Sequence, residues 1–388
     1  MSSTRSRRDA PAAMPGPGSS WRQALWLLLA MLAVVALCIW SVPGEAQLLR
    51  NLLGSGGGAP SAPVKSGMFS APLSIPTPEG DRFFLVYAPR DYRPGDPVLL
   101  ALHGGSLSYE IAMEPGNPFA AIVDLADEHG YLLILPNGTN GLLAPGSPGW
   151  ADGRSNKTWN DCRPSPGRVA DDVGFLSDLI AHATDTDGPY RADPEQVFVI
   201  GQSNGGFMAQ RMALERPQLL RAVGSALANV AADSECVPAG RAVPIALVNG
   251  DQDLLVPWRG TANADGSCPA LSLSLTGCML SAEASRDFWV AYNGNAAAAR
   301  VDRQLTNVTS SDAGSTLREM RYDRRPGSFT KPSPAPVVFY RANRAGHVEP
   351  SLLYRIGTAG KAAFGNQNQD AEGYGLIWSF FESLPAVN

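Results

Sequence analysis

The sequence predicts an α/β protein in which helices cover both faces of a mostly parallel sheet. Two observations carry that expectation. Short, continuously apolar runs recur along the chain, and segments of helical period separate them. Continuous apolarity suits strands buried on both faces, and their alternation with helices implies parallel crossovers. The chain has 388 residues with 44% in the hydrophobic set, enough for a large core.

Residues 1–23 form a basic segment with Arg5, Arg7, Arg8 and Arg22, and residues 24–42 follow without a charge. Such a run reads equally as a cleaved signal peptide or a retained signal anchor, a transmembrane helix that would provide membrane anchorage. Its basic flank should stay inside, which sends the remainder across the membrane as an exported domain, extracellular or periplasmic. Residues 43–66, rich in Gly, Ser, Ala and Pro, read as a flexible linker, and 67–388 as the folded domain. Net charge is -5, which argues against a nucleic-acid partner.

In the domain, Phe83–Tyr87 and Val98–Leu102 read as strands, the second ending at His103-Gly104-Gly105. A helix is expected from Phe119 to His129, stopped by Gly130, and then a strand over Tyr131–Leu135. Residues 137–167 are longer than an ordinary connection, and such a segment is functional or mobile. A helix over Asp171–Ala183, a strand over Val197–Ile200 and a helix over Gly206–Glu215 follow. Later strands fall at Ala222–Ala226, Ile245–Val248 and Val337–Tyr340, and a last helix runs from about Asp370 to Phe381.

Gly201-Gln202-Ser203-Asn204-Gly205 lies between a strand and a helix. Glycines permit a turn too tight for side chains, and the turn lifts the Ser203 hydroxyl above the sheet edge as a nucleophile. The Asn204 N–H and the helix N-terminus point at the same place, where an oxyanion develops. A second N–H is expected from Gly105 in preference to Ser106. Serine needs a base. Among four histidines, His347 follows the last strand and precedes the last helix, as the order serine, acid, histidine requires. His103 is expected to shape its loop, and His129 and His182 to lie at the surface or cap helices. The acid is Asp253 in preference to Asp251, which reads as a turn cap.

Trp150, Trp159 and Trp258 are candidates for a substrate wall. Cys162, Cys236, Cys268 and Cys278 are expected to form two disulfides in an exported domain. Short separation favours Cys268–Cys278, leaving Cys162–Cys236. No metal site is expected, since no Cys-x-x-Cys pair is present. Asn137, Asn156 and Asn307 open glycosylation-type triplets.

Several stretches resemble the polyhydroxybutyrate depolymerase and feruloyl esterase group, the carbohydrate esterase family one type of α/β-hydrolase. They are Leu102-His103-Gly104-Gly105, Trp159-Asn160-Asp161-Cys162, Asp171-Asp172-Val173-Gly174-Phe175, Gly201 to Gly206, Gly250 to Pro257, Gly346-His347, and Asp370-Ala371 leading into Ile377 to Phe381. The resemblance implies the α/β-hydrolase fold, Ser203, Asp253 and His347 as a triad, ester hydrolysis, export and no cofactor. A peptidase or amidase with the same triad, and an inactive envelope-binding domain, are the alternative functions.

Overall fold

The computed structural model describes residues 67–386 except 115, 153–155, 165–168, 270–276, 310 and 324–334. It has an α/β-hydrolase fold built on one sheet of eleven strands. The strands are β1 (Met68–Phe69), β2 (Leu73–Thr77), β3 (Gly80–Ala88), β4 (Val98–Leu102), β5 (Leu132–Pro136), β6 (Val197–Gln202), β7 (Ala222–Ala226), β8 (Ile245–Gly250), β9 (Val301–Gln304), β10 (Thr316–Tyr322) and β11 (Val337–Asn343). Their spatial order is β1-β3-β5-β4-β6-β7-β8-β11-β10-β9, with β2 paired to β3. From β5 to β11 every neighbour is parallel; the strands outside that block pair antiparallel.

The central strands β4 to β8 are buried at every position, which is why they read as unbroken apolar runs. Alternate residues feed two cores. On one face pack α2 (Asp172–Thr184), α3 (Asn204–Glu215) and α4 (Ala282–Tyr292), through residues such as Leu176, Met208 and Trp289. On the other pack α1 (Ala121–His129) and α6 (Gly373–Glu382), through Ile122, Ile377 and Phe381. A short helix, α5 (Thr358–Phe364), lies between β11 and α6.

Three helix starts differ from expectation, and α1 begins at Ala121 because a 3-10 turn occupies Pro118–Ala120. Helix α3 begins at Asn204 because the chain turns sharply at Ser203. Helix α6 begins at Gly373, since Asn368 and Asp370 hold the preceding loop with side-chain bonds to each other's main-chain or side-chain atoms. Of the antiparallel strands only β3 is expected from the sequence, at Phe83–Tyr87; β1, β2, β9, β10, α4 and α5 are not. Thr316–Tyr322 buries Leu317 in one core and Met320 and Tyr322 in the other, so its apolar residues break a strict period of two.

The long connection after β5 is strapped to the fold by antiparallel bridges Thr139 to Thr158 and Leu107 to Lys157. Disulfides join Cys162 to Cys236 and Cys268 to Cys278. Asn137 is fully buried: its Oδ1 accepts from Tyr109 N–H and its Nδ2 donates to Ala151 O. That removes it as a glycosylation acceptor, whereas Asn156 and Asn307 are exposed.

The transmembrane expectation is corrected. Among the described residues no helix is long and apolar enough to cross a membrane, and a membrane anchor is not carried forward. The 1–23, 24–42 and 43–66 segments lie outside the described residues.

Candidate active site

Four loops meet above the carboxyl ends of β4, β6, β8 and β11, where ligands bind in open parallel sheets. The loop after β6 is the tightest. A Cβ at Gly201 would strike Gly205 O, and one at Gly205 would strike Leu102 O. Ser203 adopts φ 51°, ψ -123°, a conformation that costs an ordinary residue about 1–3 kcal/mol. It is held there by its N–H donating to Ala226 O at 2.8 Å and its carbonyl accepting from Phe207 N–H at 3.0 Å.

The Ser203 hydroxyl lies 2.9 Å from His347 Nε2, and His347 Nδ1 lies 2.6 Å from Asp253 Oδ2. With Asp253 as the acceptor, Nδ1 carries the proton and the Nε2 lone pair faces Ser203. The other oxygen of Asp253 accepts the N–H groups of Leu255 and Val256, both at 2.8 Å, which fixes the carboxylate plane. Burial, the largest influence on His347, disfavours its charged form, but the charge and hydrogen bond of Asp253 help hold its pKa above the usual histidine value.

Asp251 is not part of this line. Its oxygens accept from Arg344 N–H and the Arg341 guanidinium, so it ties the end of β8 to that of β11. His129 pairs with Glu382 and packs at a tilt against Trp378, and His182 packs edge-on to Phe84 and Tyr190.

Of the two N–H candidates after β4, Ser106 donates to Lys157 O at 2.8 Å and is occupied. Gly105 remains, and its backbone lies beside Asn204: a Cβ there would sit 3.4 Å from Asn204 Cβ. The N–H groups of Gly105 and Asn204 have no backbone acceptor among the described residues. His103 is fully buried beneath this loop. Its Nδ1–H donates to Gly104 O at 2.7 Å, and its Nε2 accepts from Gly138 N–H at 3.0 Å. Burial and nearby cations push its pKa down to about 4, so the ring is neutral.

Two of the three candidate wall tryptophans are buried. Trp159 is fully buried, donating its indole N–H to His103 O and packing at a tilt against the His103 ring, and Trp150 is buried under Arg82. Trp258 is partly buried, between Phe339 and the Arg341 guanidinium. Of the three, Trp159 holds the loops of the site, bonded to both His103 O and Asn204. Sequence reasoning also missed Asp161, Glu349 and Tyr374. Asp161 accepts from Asn204 Nδ2 at 2.6 Å and pairs with Arg163, and Tyr374 bridges Glu349 and Gln202. Only the Trp159-to-Cys162 stretch offered a signal; nothing local marks a tyrosine 25 residues beyond Glu349.

The chain has an α/β-hydrolase fold in which a serine, a histidine and an aspartate lie in hydrogen-bonded sequence. No family model matches the chain. It is similar to NocK, a presumed esterase of Nocardia uniformis subsp. tsuyamanensis, at 32% identity over 178 residues, 46% of each chain. It is also similar to a poly(3-hydroxybutyrate) depolymerase of Ralstonia pickettii, at 28% identity over 162 residues, covering 41% of this chain and 28% of the relative. The chain thus spans less than half the length of these curated relatives. Among solved structures it is similar to an acetyl xylan esterase from Aspergillus awamori, with TM-score 0.41 and 13% identity over 72% of this chain and 94% of the other.

Proposed function

We propose that this protein is an exported serine esterase that hydrolyses carboxylic esters through an acyl-enzyme on Ser203. The single observation that carries the reading is the imidazole of His347, within hydrogen-bond reach of both Ser203 and Asp253. Ser203 Oγ attacks the ester carbonyl carbon while His347 Nε2 takes the hydroxyl proton. Asp253 stabilises the imidazolium, and the Gly105 and Asn204 N–H groups donate to the oxyanion. The tetrahedral adduct collapses, the C–O bond to the alcohol breaks, and His347 returns the proton to the departing oxygen. Water then attacks the acyl-enzyme, giving its proton to His347, and the carboxylic acid leaves as Ser203 regains its hydrogen.

The likeness to a presumed esterase and to a polyester depolymerase supports an ester substrate over an amide, and favours the depolymerase and feruloyl esterase group as the finer assignment. Two disulfides support an oxidising, extracytoplasmic location. The test is a panel of short-acyl p-nitrophenyl, feruloyl, acetyl-sugar and hydroxybutyrate-oligomer esters with wild-type and Ser203→Ala protein. Turnover of short-acyl esters that vanishes in the variant is expected; equal turnover by both would refute the reading.

A further inference from the structure

We propose that Glu349 is a positioning residue that works in its neutral, protonated form, joining the His347 loop to the Ser203 turn through Tyr374. The inference rests on the reading of Ser203, His347 and Asp253 as the hydrolytic triad.

Tyr374 Oη lies 2.6 Å from Glu349 Oε1 and 3.0 Å from Gln202 Oε1. All three side chains are buried, Glu349 to 4% exposure. A phenol has one proton, and both neighbouring oxygens are acceptors, so this line of three oxygens is one proton short. A protonated Glu349 supplies it: the acid donates to Tyr374, and Tyr374 donates to Gln202. The competing arrangement turns the Gln202 amide, so that its Nε2 donates to Tyr374 and Tyr374 donates to an ionised Glu349.

Burial favours the protonated acid. The titratable groups facing Glu349 are His347 on its own loop, Asp253 on the loop after β8 and Tyr374 on α6, and none is a fixed cation. Desolvation, the largest influence, raises the Glu349 pKa, and Asp253 adds to it; the Tyr374 and main-chain hydrogen bonds and His347 work the other way. Burial keeps the Tyr374 phenol protonated too. An ionised Glu349 would place a second anion, beside Asp253, near one neutral imidazole. A neutral Glu349 leaves Asp253 as the lone carboxylate on His347, opposite Ser203, where it stabilises the imidazolium formed during attack. The link is mechanical as well: Gln202 precedes the nucleophile, Glu349 follows the base by two residues, and Tyr374 is rooted in α6.

The experiment is an NMR titration of the histidine rings in wild-type and Glu349→Gln protein, read beside ester turnover. Glutamine keeps the shape and an N–H for Tyr374, so it copies the neutral acid. The His347 midpoint is expected to stay within about 0.2 pH unit of wild type in Glu349→Gln. Glu349→Ala and Tyr374→Phe are expected to lose about tenfold in kcat with little change in KM, and Glu349→Gln to recover most of the Ala variant's loss. A His347 midpoint lower by about half a unit or more in Glu349→Gln would reveal an ionised Glu349 and overturn the proposal, because removing a nearby anion makes the imidazolium harder to form. Wild-type kcat in both Glu349→Ala and Tyr374→Phe would overturn the positioning role. Absence of Ser203-dependent turnover in the wild-type protein would refute the triad instead, and the titration would still report the charge of Glu349.

Discussion

Trp159 grips Asn204 from both directions. Its N–H donates to Asn204 Oδ1 at 2.7 Å, and its carbonyl accepts from Asn204 Nδ2 at 3.1 Å. The same amide also donates to Asp161 at 2.6 Å. The side chain of Asn204 is thus fully engaged with the 157–163 segment, while its N–H, the donor proposed for the oxyanion, has no backbone acceptor among the described residues. Cys162, next to Asp161, fastens that segment to Cys236.

Asn204→Ala therefore strips partners from two buried main-chain groups and a buried carboxylate without deleting the oxyanion N–H. Unsatisfied buried groups cost about 1–3 kcal/mol each, so a stability loss of roughly 2–4 kcal/mol is expected, with kcat lower by about tenfold as the N–H loses its support. Urea unfolding and ester turnover measure the two effects. An unchanged unfolding midpoint would mean that the grip contributes nothing.

The turn at Ser203 stores strain for the sake of exposing a hydroxyl. Glycine tolerates φ 51°, ψ -123° where serine does not, so Ser203→Gly is expected to raise stability by about 1 kcal/mol while abolishing turnover. Thermal unfolding of the glycine variant beside Ser203→Ala separates relief of strain from loss of the side chain. A glycine variant less stable than the alanine one contradicts the strain.

Ser203 could be found in the sequence because its signal is local: two glycines, an apolar strand before and a helix after. His347 and Asp253 were legible through chain order, since each follows a buried strand whose unbroken apolarity marks it. The burial of Trp150 and Trp159 was not legible because burial is a tertiary property; an indole in a long polar loop looks exposed until the loop folds back on His103. Glu349 and Tyr374 escaped for the same reason. Their contact depends on where α6 docks, and neither residue carries a pattern that announces it.

The pH dependence of turnover follows from His347. The base must be neutral to accept the Ser203 proton, and its pKa lies above the usual 6.5: burial, the largest influence, lowers it, and the charge and hydrogen bond of Asp253 are the largest of the influences that raise it. Activity on a neutral ester should therefore rise with pH, with the acid limb of kcat/KM centred above about 6.5. Asp253→Asn is expected to move that limb to lower pH and reduce kcat by about 10⁴-fold, as the wrong tautomer is favoured and the imidazolium loses its partner. A limb that stays in place in Asp253→Asn would show that another group sets it.

His103 makes the opposite prediction for stability. Its Nε2 accepts the Gly138 N–H, so protonation would set two donors face to face inside the fold, and burial holds its pKa down to about 4. In the unfolded chain the ring titrates near 6.5, so below that pH the unfolded state binds a proton that the folded state refuses. The stabilising contribution is complete above 6.5 and drains away as pH falls from 6.5 to about 4, for a loss of about 3 kcal/mol. His347 acts with the reverse sign: its raised pKa stabilises at low pH and fades as pH rises through the folded value. Comparing wild type with His103→Asn cancels that background. The variant, less stable at pH 7.5 for want of the ring's hydrogen bonds, is expected to lose stability more gently between pH 6.5 and 4, and equal slopes in the two proteins would mean that His103 accepts a proton in the folded state.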